Sequence, residues 1–424
     1  MKTHTKLAAL LLGTALVAAA PPVEMMLTER DHKKIGELVQ EYYAAVSEKD
    51  GIADAKAELG EEIVKLEEKF NKRRDEPVAF LEMTDDLRAI FTLSKEVDKR
   101  PPSGKVEEVE APTFLPQPVK YAVHAPKGYK SSKGAVPLII VIPDEGVEPA
   151  RCLDDMWMLG DMRNEAVIAC VEMPEDPGLW GTSSSEPMGG LETVMFTLRD
   201  LNQKYLIDSD RVYLAGHGPG VAAAMDIGAT FPYIFAGILG RSGDMGDTAA
   251  TNFRNLPTYF AGGGSNVSEF QEKARALEIE DMVTIDAEGR AEDAWSWIQG
   301  HPRNPNPEMI SFAPTSQRGP SAYWIQVSGY DLETEEKPEI TVTVDKEANR
   351  IEVESVGIST VTMWFNDAVV DLDREVVVVC NGEEYTDTFG RSLSTALDQY
   401  FRSNDPSRVY SAGQVYDLPE PDGN

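Results

Sequence analysis

Asp208-Ser-Asp-Arg-Val-Tyr-Leu-Ala-Gly-His-Gly-Pro-Gly220 reads as a short apolar strand running into a glycine-rich turn, and the small residues Ala222, Ala223 and Ala224 open a helix behind it. A strand-to-helix turn this sharp holds the side chain at its centre out over the end of a sheet. The central residue is Gly218, which has no side chain. Glycine accepts a positive φ at little cost, so the turn forms more easily than with any other residue.

The pattern on both sides of this turn predicts an α/β domain. Apolar strands are read at Tyr121–Ala125, Leu138–Ile142, Val167–Val171, Val212–Ala215, Phe235–Leu239, Thr258–Ala261 and Val283–Ile285, with helices such as Leu191–Tyr205 and Gly220–Thr230 between them. Continuous Val/Ile/Leu strands alternating with helices indicate a mostly parallel sheet covered on both faces. Upstream, residues 24–98 are helical in pattern. Thr28 and Asp31 make a capping-box start, and Ile35, Leu38, Val39, Tyr42, Tyr43 and Val46 recur at helical spacing. This extension is expected to dock on the α/β domain. A Pro- and Glu-rich stretch, 99–118, reads as a linker to the α/β domain at 119–315. Beyond it, 318–424 predicts short strands with polar turns, an antiparallel β module with one helix (Leu393–Phe401) and an acidic tail.

The run from Leu191 to Gly240, and above all D-x-x-R-V-Y-x-x-G-H-x-x-G across Asp208–Gly220, resembles the α/β-hydrolase superfamily. The resemblance is to its polyhydroxyalkanoate-depolymerase-like and prolyl-oligopeptidase-like esterases, and it spans residues ~119–300. It implies an α/β-hydrolase fold and the G-x-S-x-G nucleophile elbow. A dinucleotide fingerprint would need G-x-G-x-x-G after an early strand, and neither the third glycine nor the late strand fits.

Each position the resemblance assigns to catalysis departs from the pattern. Serine acyl transfer needs a hydroxyl, a histidine that takes its proton, and a carboxylate that orients the histidine. The nucleophile position is Gly218. The acid position, in the turn after Thr258–Ala261, is Asn266. The base position, after the last strand, is Arg290, which stays protonated and accepts no proton. The oxyanion loop reads Pro143-Asp144-Glu145-Gly146. Its two carboxylates would destabilise an oxyanion, although its backbone N–H groups are expected to remain available. The resemblance therefore implies a degenerate member without an intact catalytic set. A vestigial pocket is expected at Asp144, Glu145, His217, Ser242 and Asp244, with Gly218, Asn266 and Arg290. Ser183, Ser184 and Ser185 sit in a loop opening the same way, and His301 lies beyond the last helix. The bland reading of Arg290 is a surface pairing with Glu288 or Asp293.

Composition narrows the function classes. The formal charge is −32, from 72 acidic and 40 basic residues, which opposes binding to nucleic acid or anionic membranes. Lys2 and Lys6 precede the apolar run Leu7–Val17, the signature of an export signal over residues 1–20 with processing after Ala19, so a secreted or periplasmic location is expected. No run is long enough to span a membrane. Three cysteines make no disulfide framework, no metal motif is present, and no cofactor is expected. The reading that joins these features is an exported pseudoenzyme that binds an unknown small molecule or peptide. Its alternatives are an active ester or peptide hydrolase with a non-standard catalytic set, and a structural protein of the cell envelope.

Overall fold

The structure, a computed structural model, describes residues 25–154, 160–262, 264 and 266–420. The predicted export signal lies outside the described residues. Three helices come first: α1 (Glu29–Glu48), α2 (Ile52–Asn71) and α3 (Thr84–Leu93). The Thr28–Asp31 capping box is formed at the start of α1.

The α/β domain follows as β1 (Val106–Ala111), β2 (Val119–His124), β3 (Val136–Ile142), α4 (Pro149–Cys152), α5 (Met162–Glu165), β4 (Val167–Val171), α6 (Gly190–Lys204), β5 (Ile207–His217), α7 (Gly220–Thr230), β6 (Gly237–Arg241), β7 (Thr258–Ala261), α8 (Val267–Ala276), β8 (Val283–Asp286) and α9 (Ala291–Gly300). These described strands form one sheet in the order β1-β2-β4-β3-β5-β6-β7-β8. β2 runs antiparallel to both its neighbours, and β3 through β8 are mutually parallel. This order, with a tight turn after the fifth strand, is the α/β-hydrolase fold. Leu138, Ile139, Ile140, Val141 and Ile142 are wholly buried. Leu138, Ile140 and Ile142 pack into the core on one face of the sheet, and Ile139 and Val141 into the core on the other. That alternation follows from the two-residue period of a strand and explains why β3 is apolar throughout.

The C-terminal module contains β9 (Met309–Phe312), β10 (Ser321–Ala322), β11 (Ile325–Tyr330), β12 (Glu339–Asp345), β13 (Arg350–Val356), β14 (Ile358–Phe365), β15 (Val376–Cys380), β16 (Glu383–Asp387), α10 (Leu393–Ser403) and β17 (Ala412–Asp417). Its strands make two sheets, β10-β11-β14-β17 and β16-β15-β13-β12-β9, which enclose a core of Trp324, Phe365, Ile340, Val353 and their neighbours.

Two expectations are corrected. The stretch read as a linker contains β1, which pairs along its whole length with β2. β9, read within the α/β domain, pairs with β12 and so belongs to the β module. The helical extension meets the α/β domain through Arg88, which pairs with Asp208 and Asp210, but its apolar core is built with α10. Ile35, Leu59 and Ile90 share one cluster with Ala396, Leu397 and Tyr400. The Tyr43 hydroxyl donates to the Leu397 carbonyl at 2.8 Å, and the Tyr400 hydroxyl to the Phe91 carbonyl at 2.9 Å.

Candidate functional site

Parallel pairing brings the carboxyl ends of β3, β5, β6 and β7 to one edge. Ile142 lies opposite Gly216, His217 opposite Arg241, and Arg241 opposite Ala261. The residues just beyond these ends are Asp144, Gly218, Ser242 and Gly262, so the sheet assembles them side by side.

Gly218 has φ +53°, and its amide donates to the Arg241 carbonyl at 3.1 Å. A β-carbon at Gly218 would lie 2.6 Å from Asp144 Cγ and closer still to Asp144 Oδ1. The Asp144 carboxylate therefore fills the space into which the elbow's side chain would project. It is held there by the Glu145 amide, which donates to Asp144 Oδ1 at 2.8 Å. Asp144 Oδ2 stands 3.4 Å from His217 Nδ1. That contact lacks hydrogen-bond geometry, so the buried His217 Nδ1 makes no hydrogen bond and has Asp144 as a charged neighbour. Burial holds the His217 imidazole below its ordinary pKa; Asp144 opposes that shift and Arg241 adds to it.

An acyl-transfer elbow also needs N–H donors for the developing oxyanion, one from the residue after the nucleophile and one from the loop after β3. The residue after Gly218 is Pro219, which has no N–H. The Glu145 amide is taken by Asp144. Of the loop's backbone N–H groups, that of Glu145 is therefore engaged, and the turn adds none directly after Gly218. Loss of one such donor costs on the order of 100- to 1,000-fold in rate. The proline was visible in the sequence, but its consequence emerges only with the turn around it.

The other expected residues are partly dispersed. Asn266 adopts the left-handed conformation before α8 and donates from Nδ2 to Asp244 Oδ1 at 3.1 Å, and Asp244 Oδ1 also accepts from the Gly246 amide. Arg290 pairs with Asp293 at 2.7 Å and Glu288 at 3.4 Å, the surface pairing named for it above. Ser242, also at positive φ, is exposed beside Gly262. Glu145 is exposed. Ser183 and the Ser184 amide are bound by Glu192 at the start of α6, at 2.5 and 3.0 Å. His301 Nδ1 lies 2.7 Å from the Trp297 carbonyl, and its ring stacks on Trp297. Among the described residues, no serine hydroxyl or cysteine thiol is hydrogen-bonded to an imidazole. No group of three or more His, Cys, Asp or Glu could hold a metal ion, and no helix is long and apolar enough to cross a membrane, again among the described residues.

No family model and no curated protein matches the chain. Solved structures similar to it include a thermostable esterase (15% identity, 47% of this chain and 63% of that one, TM-score 0.37). Two others are the BES protein from Bacillus cereus (16%, 48% and 95%, 0.35) and an S-formylglutathione hydrolase from Staphylococcus aureus (9%, 46% and 96%, 0.35).

Proposed function

We propose that this chain is an exported pseudoenzyme of α/β-hydrolase fold, which binds a small molecule or peptide and does not hydrolyse esters or amides. The observation that carries this reading is the Asp144 carboxylate in the space of a nucleophile side chain. Pro219 and the occupied Glu145 amide support it, because each removes an N–H group that a tetrahedral intermediate could use. Arg290 supports it too, since a guanidinium cannot act as a general base. The Lys2/Lys6 and Leu7–Val17 pattern supports export.

The second reading, an active hydrolase with a non-standard set, is favoured by the approach of His217 to Asp144, an imidazole 3.4 Å from a carboxylate at the elbow. A panel of fluorogenic short-chain esters and peptides, assayed with the purified chain and its Asp144→Asn variant, separates the two. The expected result is no turnover by either protein. Turnover lost in Asp144→Asn would establish the second reading instead.

A further inference from the structure

At the opposite end of the sheet from the elbow, a cavity of about 790 Å³ lies between the α/β domain and the β module. Its walls come from α6, the starts of β5 and β6, the β10-β11-β14 sheet and the end of α10. Clefts of this size at domain junctions are common ligand sites. Its charge is unusual for so acidic a protein, with four arginines (199, 303, 402 and 408) and two aspartates (398 and 405) on its lining.

The aspartates are already engaged. Arg303, with its side chain 1% exposed, pairs with Asp405 and with Asp210, each at 2.7 Å. Arg402 pairs with Asp398 at 2.9 Å. That leaves Arg199 and Arg408, neither of which has a carboxylate partner among the described residues. Arg408 lies over the Tyr233 ring, 4.1 Å from its centroid, and donates from Nη2 to the Tyr323 carbonyl at 2.6 Å. Its Nε is buried with no acceptor. The guanidinium is half-buried on the cleft wall, and an oxyanion in the cleft would make charge-assisted contacts with it. Apolar side chains complete the lining, among them Trp364, Phe401 and Ile325.

We infer that this cleft is a binding site for a small organic anion, a carboxylate or phosphate carried on an apolar or aromatic body, with Arg408 and Arg199 receiving the charge. The inference does not depend on whether the elbow hydrolyses anything, because the two sites lie at opposite ends of the sheet.

Calorimetric titration of the full chain at low ionic strength tests it with four probes: 3-phenylpropionate, phenyl phosphate, the neutral 3-phenylpropionamide and inorganic phosphate. At least one aromatic anion is expected to bind saturably, at least ~10-fold more tightly than the amide and than inorganic phosphate, as a charge-assisted contact and an apolar body require. Comparison of the carboxylate with the phenyl phosphate assigns the headgroup. Arg408→Met is expected to abolish binding. Arg199→Gln, an exposed change that leaves folding intact, is expected to weaken it ~10-fold, and Lys120→Gln, outside the cleft lining and paired with Glu172, to leave it unchanged. Absence of saturable binding by both aromatic anions would overturn the inference. Equal binding of the amide, or anion binding untouched by Arg199→Gln, would do the same.

Discussion

The carboxylate of Asp144 occupies the volume a side chain at Gly218 would need, with Asp144 Cγ 2.6 Å from where that β-carbon would sit. The relationship is built by the sheet. β3 and β5 are adjacent and in register at Ile142 and Gly216, so the loop leaving β3 passes directly over the turn leaving β5.

It follows that placing a serine at position 218 should be costly and unproductive. Gly218→Ser places a non-glycine residue at φ +53°, a cost of about 1–2 kcal/mol. It also drives Asp144 off the Glu145 amide, for roughly another 0.5–1.5 kcal/mol. Urea unfolding of Gly218→Ser, Asp144→Ala and the double variant should show a cycle in which the double variant is more stable than the two single losses added together. None of the three is expected to turn over an ester. Additive losses would mean that the two positions do not contend for one space.

A second expected outcome concerns Arg303, buried between Asp210 and Asp405 and donating also to the Tyr233 carbonyl. It ties the start of β5 to the end of α10. Removing one member of a buried ion network leaves uncompensated charge, so Arg303→Met should cost about 3–5 kcal/mol. Arg303→Lys should recover only part of that, because a point charge cannot reproduce the two-sided fork. Denaturant midpoints of the two variants check this.

A third concerns Leu397, wholly buried among α1, α2 and α3. Leu397→Ala should destabilise by about 2–5 kcal/mol. Because the core is shared, the helical extension should become the first part of the chain to gain hydrogen-exchange rate. Uniform loss of protection across the chain would contradict the shared core.

The fourth is a pH dependence. Asp226, on α7, has its pKa raised above the ordinary 3.8; burial is the largest cause, Asp247 adds to it, and the Thr248 hydroxyl opposes it. The native state therefore holds the proton more tightly than the unfolded chain does. Stability from this group is present at low pH and declines as pH rises through 3.8 toward the raised value. Asp226→Asn keeps an acceptor for Thr248, which donates to Asp226 Oδ1 at 2.7 Å, and removes the charge. Its melting temperature should exceed that of the parent at pH 7 and approach it near pH 3. An advantage that instead grew on acidification would contradict the sign.

How far the sequence carried these conclusions varied with how local the cause was. β3, β5 and the turn after β5 were legible because burial on both faces demands unbroken aliphatic runs, and because tight helix–strand packing demands glycine. A β-carbon at Gly220 would meet the Ile142 carbonyl at 2.6 Å. The start of α1 was legible because a capping box is a four-residue signal. β1 was not, since Val106-Glu-Glu-Val-Glu-Ala111 is an edge strand with polar residues on its open side. β9 was hidden for another reason: four residues after a proline-rich stretch find their partner in β12, some thirty positions later. The docking of the helical extension on α10 joins residues more than 300 positions apart, and no local pattern encodes it. At the candidate site, Gly218 at the centre of the turn and Arg290 after the last strand were plain in the sequence. The swing of Asp144 into the elbow depends on strand register and loop direction, and only the fold supplies those.

The most direct test of the proposed pseudoenzyme reading is intact-mass spectrometry of the purified chain after incubation with a fluorophosphonate, which phosphonylates an activated serine. The expected spectrum is that of the unmodified protein. A stoichiometric adduct mapping to Ser242, or to any of Ser183–Ser185, would mean that an activated hydroxyl does face that edge of the sheet.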